Sequence, residues 1–414
     1  MTDIEQHLAE LEELGLYRRM RLISGPQGAR VLLDGKPVLV MCSNNYLGLA
    51  DHPRVREAAA DAARRWGVGS SGSRLISGNM TVHRRLEQRL AEFKGTDAAL
   101  LFGSGYLANT GIIPTLANEG DVVFSDELNH ASIVDGCRLS RADIFIYDHG
   151  DLEHLSWGLR QARGRGSLIV TDSVFSMDGD YAPLEGIVNL AKEHDARVMV
   201  DEAHATGCVG PGGRGLVAAL GLTNEVDLIV GTLGKALGSY GAYAACDTSM
   251  ARFLINSARS FIYSTAPAPP VAAAAAEALE ILIEQPRRVE RLRQNTSLFR
   301  RELIKHGFEV DDNGTQIVPL ITGDAQRAMQ MTEMALERGV FVQAIRAPTV
   351  SPELCRLRVS VMASHTAEEL RTAAKIIFDA ARNAGFNSET GMPGEFAAPA
   401  RFIDHDEDEL ASVA

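Results

Sequence analysis

Seven short apolar runs alternate with helix-like segments between about residues 98 and 247. The runs are AALLF, DVVFSD, DIFIYD, SLIVTDS, ARVMVDEAH, VDLIVG and AYAACD. Continuous runs of Val, Ile and Leu are typical of strands buried on both faces, and the helical segments between them suit the crossovers of parallel strands. The pattern therefore predicts an α/β fold with a mostly parallel seven-stranded sheet covered by helices.

The same pattern divides the chain into four parts. We predict an N-terminal helix and small strand segment over 1–50, a large α/β domain over 51–285, a smaller C-terminal α+β domain over 286–387 and an acidic tail over 388–414. One long helical stretch, PVAAAAAEALEILIEQPRRVERLRQNTSLFRRELIKHG, joins the smaller domain to the large one. The segments FEV, IVPLIT, VFVQAIR and RLRVSVMA then alternate with helical periods.

Charge and cysteine content exclude several classes of protein. The net charge is −13, and no long Lys/Arg run appears, so we predict no nucleic-acid partner. The five cysteines are scattered without CxxC spacing, which indicates reduced thiols of a cytoplasmic protein rather than a disulfide framework or zinc site. The N-terminus lacks the pattern of a signal peptide, and the Ala-rich stretch is too short and too acidic to span a membrane.

One lysine follows a predicted strand at the point where the chain turns. The segment VGTLGKALGSYG, residues 230–241, places Lys235 among glycines directly after VDLIVG. Ligands of α/β sheets bind beyond the carboxyl ends of the strands, and a lysine at such an end can serve as a nucleophile. Lys235 is therefore a candidate catalytic residue.

Other strand ends also carry polar residues. GSGYLAN follows AALLF, and its glycines and the start of the next helix suit a bound phosphate. His130 lies in ELNHAS, Ser173 in DSVFSMDGD, and Asp201 and His204 in VMVDEAHATG. Each of these features alone has an ordinary structural explanation: a turn, a loop, or a histidine whose ring makes structural hydrogen bonds. A third ligand at suitable spacing from Asp201 and His204 is not apparent, so we predict no metal site.

Together these residues match the requirements of pyridoxal phosphate chemistry. Lys235 would form a Schiff base with the cofactor aldehyde, and Asp201 would keep the pyridine nitrogen protonated. His130 would stack on the ring, and His204 would hydrogen-bond its phenolic oxygen. The remaining candidate cofactor-binding residues at these strand ends are Ser104, Gly105, Tyr106, Ser173 and Thr232.

Seven motifs then resemble a known family, the α-oxoamine synthases. They are CSNNYLGL, GSGYLAN, DELNHAS, DSVFSMDGD, VDEAHATG, GTLGKALG and RSFIYSTAPAP, in order over about residues 10–385. The resemblance implies a fold-type I pyridoxal phosphate transferase that joins an amino acid to an acyl-CoA or acyl carrier-protein thioester with loss of carbon dioxide. It also implies a homodimer whose subunits share active sites.

The resemblance assigns further residues. Arg358, the second arginine of RLRVSV, would bind the substrate carboxylate; its alternative is a surface strand arginine, which is our expectation for Arg356. Asn44 would lie near the substrate, or simply bond its own backbone in a turn. Ser264 and Thr265 would reach the partner subunit's phosphate, or else cap the following helix.

An early basic cluster has two interpretations. Arg18, with the arginines at 19 and 21, would face the far carboxylate of the acyl chain or the phosphates of CoA, or would lie on a solvated helix face.

The substrates follow from two segments. RSFIYSTAPAPP and AIRAPTVSPELCRLRVSVMASHT look most like those of members that join L-alanine to a pimeloyl thioester in biotin biosynthesis. Members acting on glycine or serine remain alternatives. So does an aminotransferase, which shares the fold and the lysine but yields a keto acid. A non-catalytic partner subunit would lack the lysine that is present here.

Overall fold

A computed structural model describes residues 3–13, 16–311, 313–385 and 402–403. The chain divides into two compact units. The large unit holds residues 52–175 and 180–286 with the pair at 402–403, and the small unit holds the described residues up to 51 together with 176–179 and 287–385. Apart from Phe402–Ile403, the tail predicted over 388–414 lies outside the described residues.

The described helices and strands alternate along the chain. The helices are α1 (Ile4–Glu13), α2 (Pro53–Trp66), α3 (Thr81–Lys94), α4 (Gly105–Leu116), α5 (Ala131–Leu139), α6 (Leu152–Gln161), α7 (Leu184–Glu193), α8 (Leu216–Ala219), α9 (Thr248–Ser257), α10 (Arg259–Ile262), α11 (Pro269–Glu284), α12 (Arg287–Lys305), α13 (Ala325–Glu337) and α14 (Ala367–Asn383). The strands are β1 (Ile23–Ser24), β2 (Arg30–Leu33), β3 (Lys36–Val40), β4 (Ala98–Phe102), β5 (Val122–Asp126), β6 (Asp143–Tyr147), β7 (Ser167–Asp172), β8 (Arg197–Asp201), β9 (Leu228–Thr232), β10 (Ala242–Cys246), β11 (Ile317–Ile321), β12 (Val340–Phe341), β13 (Gln343–Ile345), β14 (Arg356–Ser360) and β15 (Phe402–Ile403).

The large unit is built on one sheet in the order β15-β6-β5-β7-β8-β9-β10-β4. The pairs from β6 through β5, β7 and β8 to β9 are parallel, while β10 runs antiparallel to both β9 and β4. Every predicted apolar run is a strand of this sheet, so the predicted α/β fold is confirmed. β15 adds an antiparallel strand beside β6 that the sequence pattern did not indicate.

Apolar packing against the sheet holds the large unit together. Ile112 and Ile113 of α4 are fully buried in one cluster with Val123, Val170 and Val230 from three strands of this sheet. Because the parallel strands are covered by helices, their residues are buried on both faces, which explains the continuous apolar runs. The carboxyl ends of these strands meet at one edge, where polar residues replace the apolar ones.

The small unit contains two sheets, ordered β1-β2-β3-β12 and β11-β14-β13. β12 pairs in parallel with β3, which joins the N-terminal residues to the C-terminal ones. The segment FEV forms no strand: Phe308 donates its N–H to the carbonyl of Leu303 at 3.1 Å and is buried. Gly307, with φ 92°, provides the left-handed turn that ends α12, so this segment closes a helix instead of extending a sheet.

The long helix predicted from residue 270 onward is two helices. α11 ends at Glu284 and α12 begins at Arg287. Pro286 lacks an N–H, and its ring disfavours helical backbone at Gln285, so the helix ends before the proline. The large unit also ends at Pro286 and the small unit resumes at Arg287.

Candidate active site

Lys235 lies in the turn after β9, and its Nζ is 2.8 Å from Nε2 of His204. The turn is closed by hydrogen bonds from Gly238 N–H to the Lys235 carbonyl and from Leu233 N–H to the Gly241 carbonyl, each at 2.9 Å. His204 is buried in the turn after β8. An amine and an imidazole nitrogen at this distance share one proton, so the pair can hold a proton or pass it between them.

Asp201 is the last residue of β8 and is buried. Its Oδ2 accepts a hydrogen bond from Asn109 Nδ2 at 2.8 Å, and its Oδ1 accepts one from the N–H of Ala203 at 2.8 Å. Donors on both oxygens stabilise the charged carboxylate and fix its orientation. A cationic ring nitrogen is the kind of group that such a carboxylate recognises.

Asp172, which the sequence interpretation missed, is the register partner of Asp201 on the neighbouring strand β7. Burial, and then the charge of Asp201, raise the pKa of Asp172 well above its usual range. Its Oδ2 accepts the N–H of His130 at 2.8 Å. The surroundings of Asp172 therefore favour its protonated form.

His130 is the N-cap residue of α5. Its Nδ1 accepts the N–H of Ser132 at 3.2 Å and lies 2.7 Å from the Ser132 hydroxyl. Although part of the residue is exposed, desolvation by the protein around the ring lowers the pKa of His130, an effect that Asp201 opposes and Lys235 reinforces. The neutral imidazole is therefore the favoured form.

The start of α4 has the chemistry of a phosphate site. Ser104 is its N-cap residue, and the Ser104 hydroxyl accepts the N–H of Leu107 at 3.1 Å. A Cβ added to Gly105 would meet no atom within 4 Å, so there is open space beside the first turn. The first N–H groups of a helix lack partners within the helix and attract anions.

Tyr106 and Thr232 differ in what they offer to this site. The Tyr106 hydroxyl donates to Asp135 on α5. At the helix start, Tyr106 therefore offers its backbone N–H to an anion rather than its hydroxyl. The Thr232 hydroxyl donates to the Gly241 carbonyl at 3.2 Å and accepts the Gly234 N–H at 3.2 Å. Thr232 thus stabilises the turn that carries Lys235.

Ser173 is fully buried beside β8. Its N–H and its hydroxyl both donate to the carbonyl of Asp201, at 2.8 and 3.0 Å. These bonds fix the main chain of Asp201. A direct contact of Ser173 with a cofactor stays a prediction.

Ser264 and Thr265 follow α10. Thr265 forms an antiparallel bridge with Ser73, and the N-cap residue of α11 is Ala268. The alternative interpretation, in which either residue caps the following helix, is therefore wrong. Their predicted role toward a partner subunit stays a prediction.

Within the small unit, Arg358 and Asn44 are brought together. Arg358 is buried on β14, and its Nη1 donates to Asn44 Oδ1 at 3.2 Å and to the Ser360 hydroxyl at 3.0 Å. Its Nε donates to the carbonyl of Ser176, and its Nη2 lies 3.4 Å from Oη of Tyr46. The guanidinium is thus held in a fixed orientation by its neighbours, as a carboxylate-binding arginine requires.

Arg356 was expected to be a surface arginine, and that expectation is wrong. Only 1% of the residue is exposed. Its Nη1 donates to the Asp178 carboxylate and to the Met177 carbonyl, and its Nε donates to the Leu354 carbonyl. Arg356 and Arg358 lie two residues apart on β14, so both point to one face, where residues 176–178 accept their hydrogen bonds.

Arg18 lines a cleft of about 1380 Å³ in the small unit together with Arg19, Arg21 and Arg346. Arg21 forms ion pairs with Glu333 and, at 3.5 Å, with Asp34. Arg18 itself is exposed. The predicted basic cluster therefore lines a cleft, together with the acidic residues Glu12, Glu13, Asp34 and Glu333.

A buried ion pair between Lys94 and Glu202 was also missed by the sequence interpretation. Both side chains are almost fully buried, and Glu202 Oε1 accepts the N–H of Val217 at 2.8 Å. The carbonyl of Glu202 accepts the N–H groups of Ala205 and Thr206 at 3.1 and 2.9 Å. The ion pair therefore anchors the turn that carries His204. The sequence signal that could have indicated this pair was Glu202, the second acidic residue of the motif DEAH.

Two further observations concern the described residues only. They contain no cluster of three potential metal-ligating side chains. None of the helices that they form combines the length and apolar character that crossing a bilayer needs.

Comparisons with known proteins agree with this geometry. The class I and II aminotransferase family matches residues 36–377. An 8-amino-7-oxononanoate synthase of Citrifermentans bemidjiense is 51% identical over 389 residues, covering 93% of this chain and 100% of that protein. One from Geobacter sulfurreducens is 52% identical over 374 residues, covering 89% and 95%. A serine palmitoyltransferase structure from S. paucimobilis with bound PLP–myriocin has a TM-score of 0.88 at 32% identity, covering 92% and 97%.

The chain belongs to the class I and II aminotransferase family and, within it, to the α-oxoamine synthases. It has the fold-type I architecture and is a pyridoxal phosphate-dependent acyltransferase.

Proposed function

We propose that this α-oxoamine synthase condenses L-alanine with a pimeloyl thioester to give 8-amino-7-oxononanoate, a step of biotin biosynthesis. The observation that carries the proposal is the identity of about half of all residues, over nearly the whole chain, to relatives that bear that enzyme name. In the reaction a bond forms between Cα of alanine and the pimeloyl carbonyl carbon, and the thiol and carbon dioxide leave.

The strand-end residues of the large unit fit pyridoxal phosphate. The buried Asp201 carboxylate, with both oxygens already hydrogen-bonded, suits the ring nitrogen. The open first turn of α4 at Ser104, Gly105 and Tyr106 suits the phosphate, and Thr232 lies at the neighbouring strand end. When bound, the cofactor withdraws electrons from Cα of the amino acid, so that its proton and its carboxylate can leave.

Lys235 and His204 supply the proton transfers. Nζ of Lys235 would hold the cofactor at its aldehyde carbon, and as a free amine it would remove the proton from Cα of the amino acid. His204, 2.8 Å from that amine, can accept the proton and return it in the final step. His130 would cover the face of the cofactor ring.

Arg358 and Asn44 would hold the alanine carboxylate. The guanidinium offers N–H donors in a planar fork, which matches the planar carboxylate, and its contacts to Asn44, Ser360 and Ser176 fix its orientation. Fixing the carboxylate also orients the bond from Cα that must break.

The cleft beside Arg18 would take the acyl donor. Its arginines at 18, 19 and 346 suit either the terminal carboxylate of the pimeloyl chain or the phosphates of its carrier. Both are anions, so a guanidinium can pair with either of them.

We further propose a homodimer in which Ser264 and Thr265 complete the partner's phosphate site. Tyr263, directly before Ser264, is 72% exposed, and Ile76 is 84% exposed. Ser73, in the same segment as Ile76, is bridged to Thr265. An exposed apolar patch of this kind favours burial against another protein surface.

The five cysteines are all free thiols, which supports a reducing compartment such as the cytoplasm.

The test is a substrate panel on the purified protein with pyridoxal phosphate. L-Alanine, glycine and L-serine are each mixed with pimeloyl-CoA, acetyl-CoA, succinyl-CoA or palmitoyl-CoA, and thiol release and product mass are measured. Thiol release with alanine and pimeloyl-CoA, with the mass of 8-amino-7-oxononanoate, supports the proposal. A preference for glycine or serine with another thioester assigns a different α-oxoamine synthase. A keto acid formed without thiol release assigns an aminotransferase.

A further inference from the structure

Asn109 links two of the groups assigned to the cofactor ring. Its Nδ2 donates to Asp201 Oδ2 at 2.8 Å and to the Ser132 hydroxyl at 2.9 Å. The Ser132 hydroxyl in turn lies 2.7 Å from Nδ1 of His130. A continuous line of hydrogen bonds therefore runs from Asp201 through Asn109 and Ser132 to His130, across three elements of the large unit.

The protons in this line have one consistent arrangement. The Ser132 backbone N–H donates to His130 Nδ1 at 3.2 Å, which makes that nitrogen an acceptor. An accepting Nδ1 carries no proton, so the Ser132 hydroxyl donates to it at 2.7 Å, while the oxygen of the same hydroxyl accepts from Asn109. A neutral imidazole that accepts at Nδ1 carries its proton on Nε2.

The orientation of the Asn109 amide is set by the same neighbours. With the amide reversed, its oxygen would face the Asp201 carboxylate, and two acceptors would repel each other. In the observed orientation Oδ1 of Asn109 has no hydrogen-bond partner among the described residues. A buried amide oxygen without a donor is costly, so an apolar residue would be favoured in this apolar helix unless the two N–H donors were needed.

We propose that Asn109 and Ser132 are positioning residues that orient the Asp201 carboxylate and hold His130 in the neutral form with its proton on Nε2. This proposal rests on the proposed function in one respect, namely that Asp201 and His130 both contact the cofactor ring. The hydrogen bonds themselves belong to the protein alone.

The charges around His130 agree with this form. Asp201 and Asp135 favour the charged imidazole, while Lys235 and desolvation disfavour it, and the net effect lowers the pKa of His130. Asp172 contacts the backbone N–H of His130 and not its ring. A fixed tautomer of this kind leaves the Nε2–H as the N–H donor of the imidazole ring.

The experiment measures the histidine directly in cofactor-free protein. Nitrogen-15 histidine spectra are recorded against pH for the unaltered protein and for Ser132→Ala and Asn109→Asp. The His130 signal is identified among the 11 histidines by its loss in His130→Gln. Ser140→Ala is the matched control, since Ser140 is a buried serine at the other end of the same helix whose hydroxyl bonds the Cys137 carbonyl.

We expect a neutral, Nε2-protonated His130 in the unaltered protein and in Ser140→Ala. In Ser132→Ala the hydroxyl donor at 2.7 Å is lost and only the backbone N–H at 3.2 Å still donates to Nδ1, so the titration midpoint should rise by about 0.5 to 1 pH unit and the population of the second tautomer should increase. Asn109→Asp should act likewise, because the Ser132 proton would turn to the new carboxylate. An unchanged tautomer and midpoint in both variants, or an equal change in Ser140→Ala, overturns the proposal.

Cofactor affinity supplies an independent readout. In Asn109→Asp two carboxylates share one site and one proton, so the remaining negative charge is divided between them and the ring nitrogen faces a weaker anionic partner. We expect about tenfold weaker pyridoxal phosphate binding, against a change below about twofold for Ser140→Ala. Unchanged affinity overturns the Asp201 half of the proposal. Failure of the protein to join alanine to pimeloyl-CoA would refute the proposed function and leave these spectra unaffected.

Discussion

Lys235 and His204 lie in turns that follow two adjacent parallel strands, with Nζ and Nε2 only 2.8 Å apart. The distance is short because β8 and β9 are hydrogen-bonded neighbours whose carboxyl ends open at the same edge. Two bases so close cannot both be protonated without repulsion, so a proton added to one is shared with the other.

Replacing Lys235 with Ala should abolish covalent attachment of the cofactor and reduce turnover by at least about 1000-fold. Borohydride reduction followed by peptide mass spectrometry measures the attachment. Lys192→Ala is the control, because that exposed lysine pairs with Glu225 at 2.9 Å on the surface. A reducible adduct that persists on another lysine in Lys235→Ala would contradict the assignment.

Replacing Arg358 with Lys should raise KM for the amino acid about tenfold and leave KM for the acyl thioester within about twofold, because an ammonium cannot reproduce the planar fork. Steady-state kinetics with each substrate varied in turn measures this. The reverse pattern would refute the role in carboxylate binding.

Arg356→Lys is the matched comparison on the same strand. The lysine would lose hydrogen bonds that Arg356 makes to Asp178 and to the carbonyls of Met177 and Leu354. The free energy of unfolding should therefore fall by about 1 to 3 kcal/mol, while KM for the amino acid stays nearly unchanged. Thermal and urea unfolding measure this effect.

His149 should make stability depend on alkaline pH. Its ring nitrogens lie 2.9 Å from Asp126 and 2.8 Å from Asp180. Burial alone would lower the pKa of His149, but hydrogen bonds to these carboxylates raise it from 6.5 to about 10. The folded pKa lies above the unfolded one, so the stabilisation is complete below about pH 6.5 and is lost as pH rises through about 10.

The measurement compares the unfolding free energy of the unaltered protein with that of His149→Asn from pH 6 to 10.5. The difference between them should shrink as the pH rises. His7→Asn, a change at an exposed histidine of α1, should show no such trend. A constant difference across the range would show that His149 does not titrate as described.

Ile76→Asp should weaken the proposed dimer, because a charge replaces an apolar side chain that is 84% exposed in the single chain. Sedimentation velocity measures the assembly. Ile304→Asp changes an exposed isoleucine of α12 and should leave assembly unchanged. An unaltered dimer in Ile76→Asp would place the interface elsewhere.

The main sheet was predictable because its strands are continuous apolar runs whose burial is a local property of the sequence. Asp201 and Lys235 were found because both directly follow such runs. The break between α11 and α12 also had a local signal, because a proline ends a helix at the residue before it. We nevertheless predicted one long helix there, because the helical spacing of the apolar residues continues past Pro286.

The residues that were missed make contacts far apart in sequence. Asn109 meets Asp201 across 92 positions, and Arg356 meets Asp178 across 178. Periodicity within a helix or strand carries no information on such pairs. A polar residue in the otherwise apolar stretch of α4 was the one local hint at Asn109, because a buried amide needs a partner.

The Lys94–Glu202 pair also limits how this sequence can change over time. Losing either partner alone would leave one buried charge without compensation, which typically costs about 3 to 5 kcal/mol, whereas an apolar pair of similar volume can be tolerated. A sequence that evolves from the ion pair to an apolar pair must therefore change both positions almost at once, or pass through an intermediate that folds poorly. We expect the two positions to covary among relatives and single replacements to be rare.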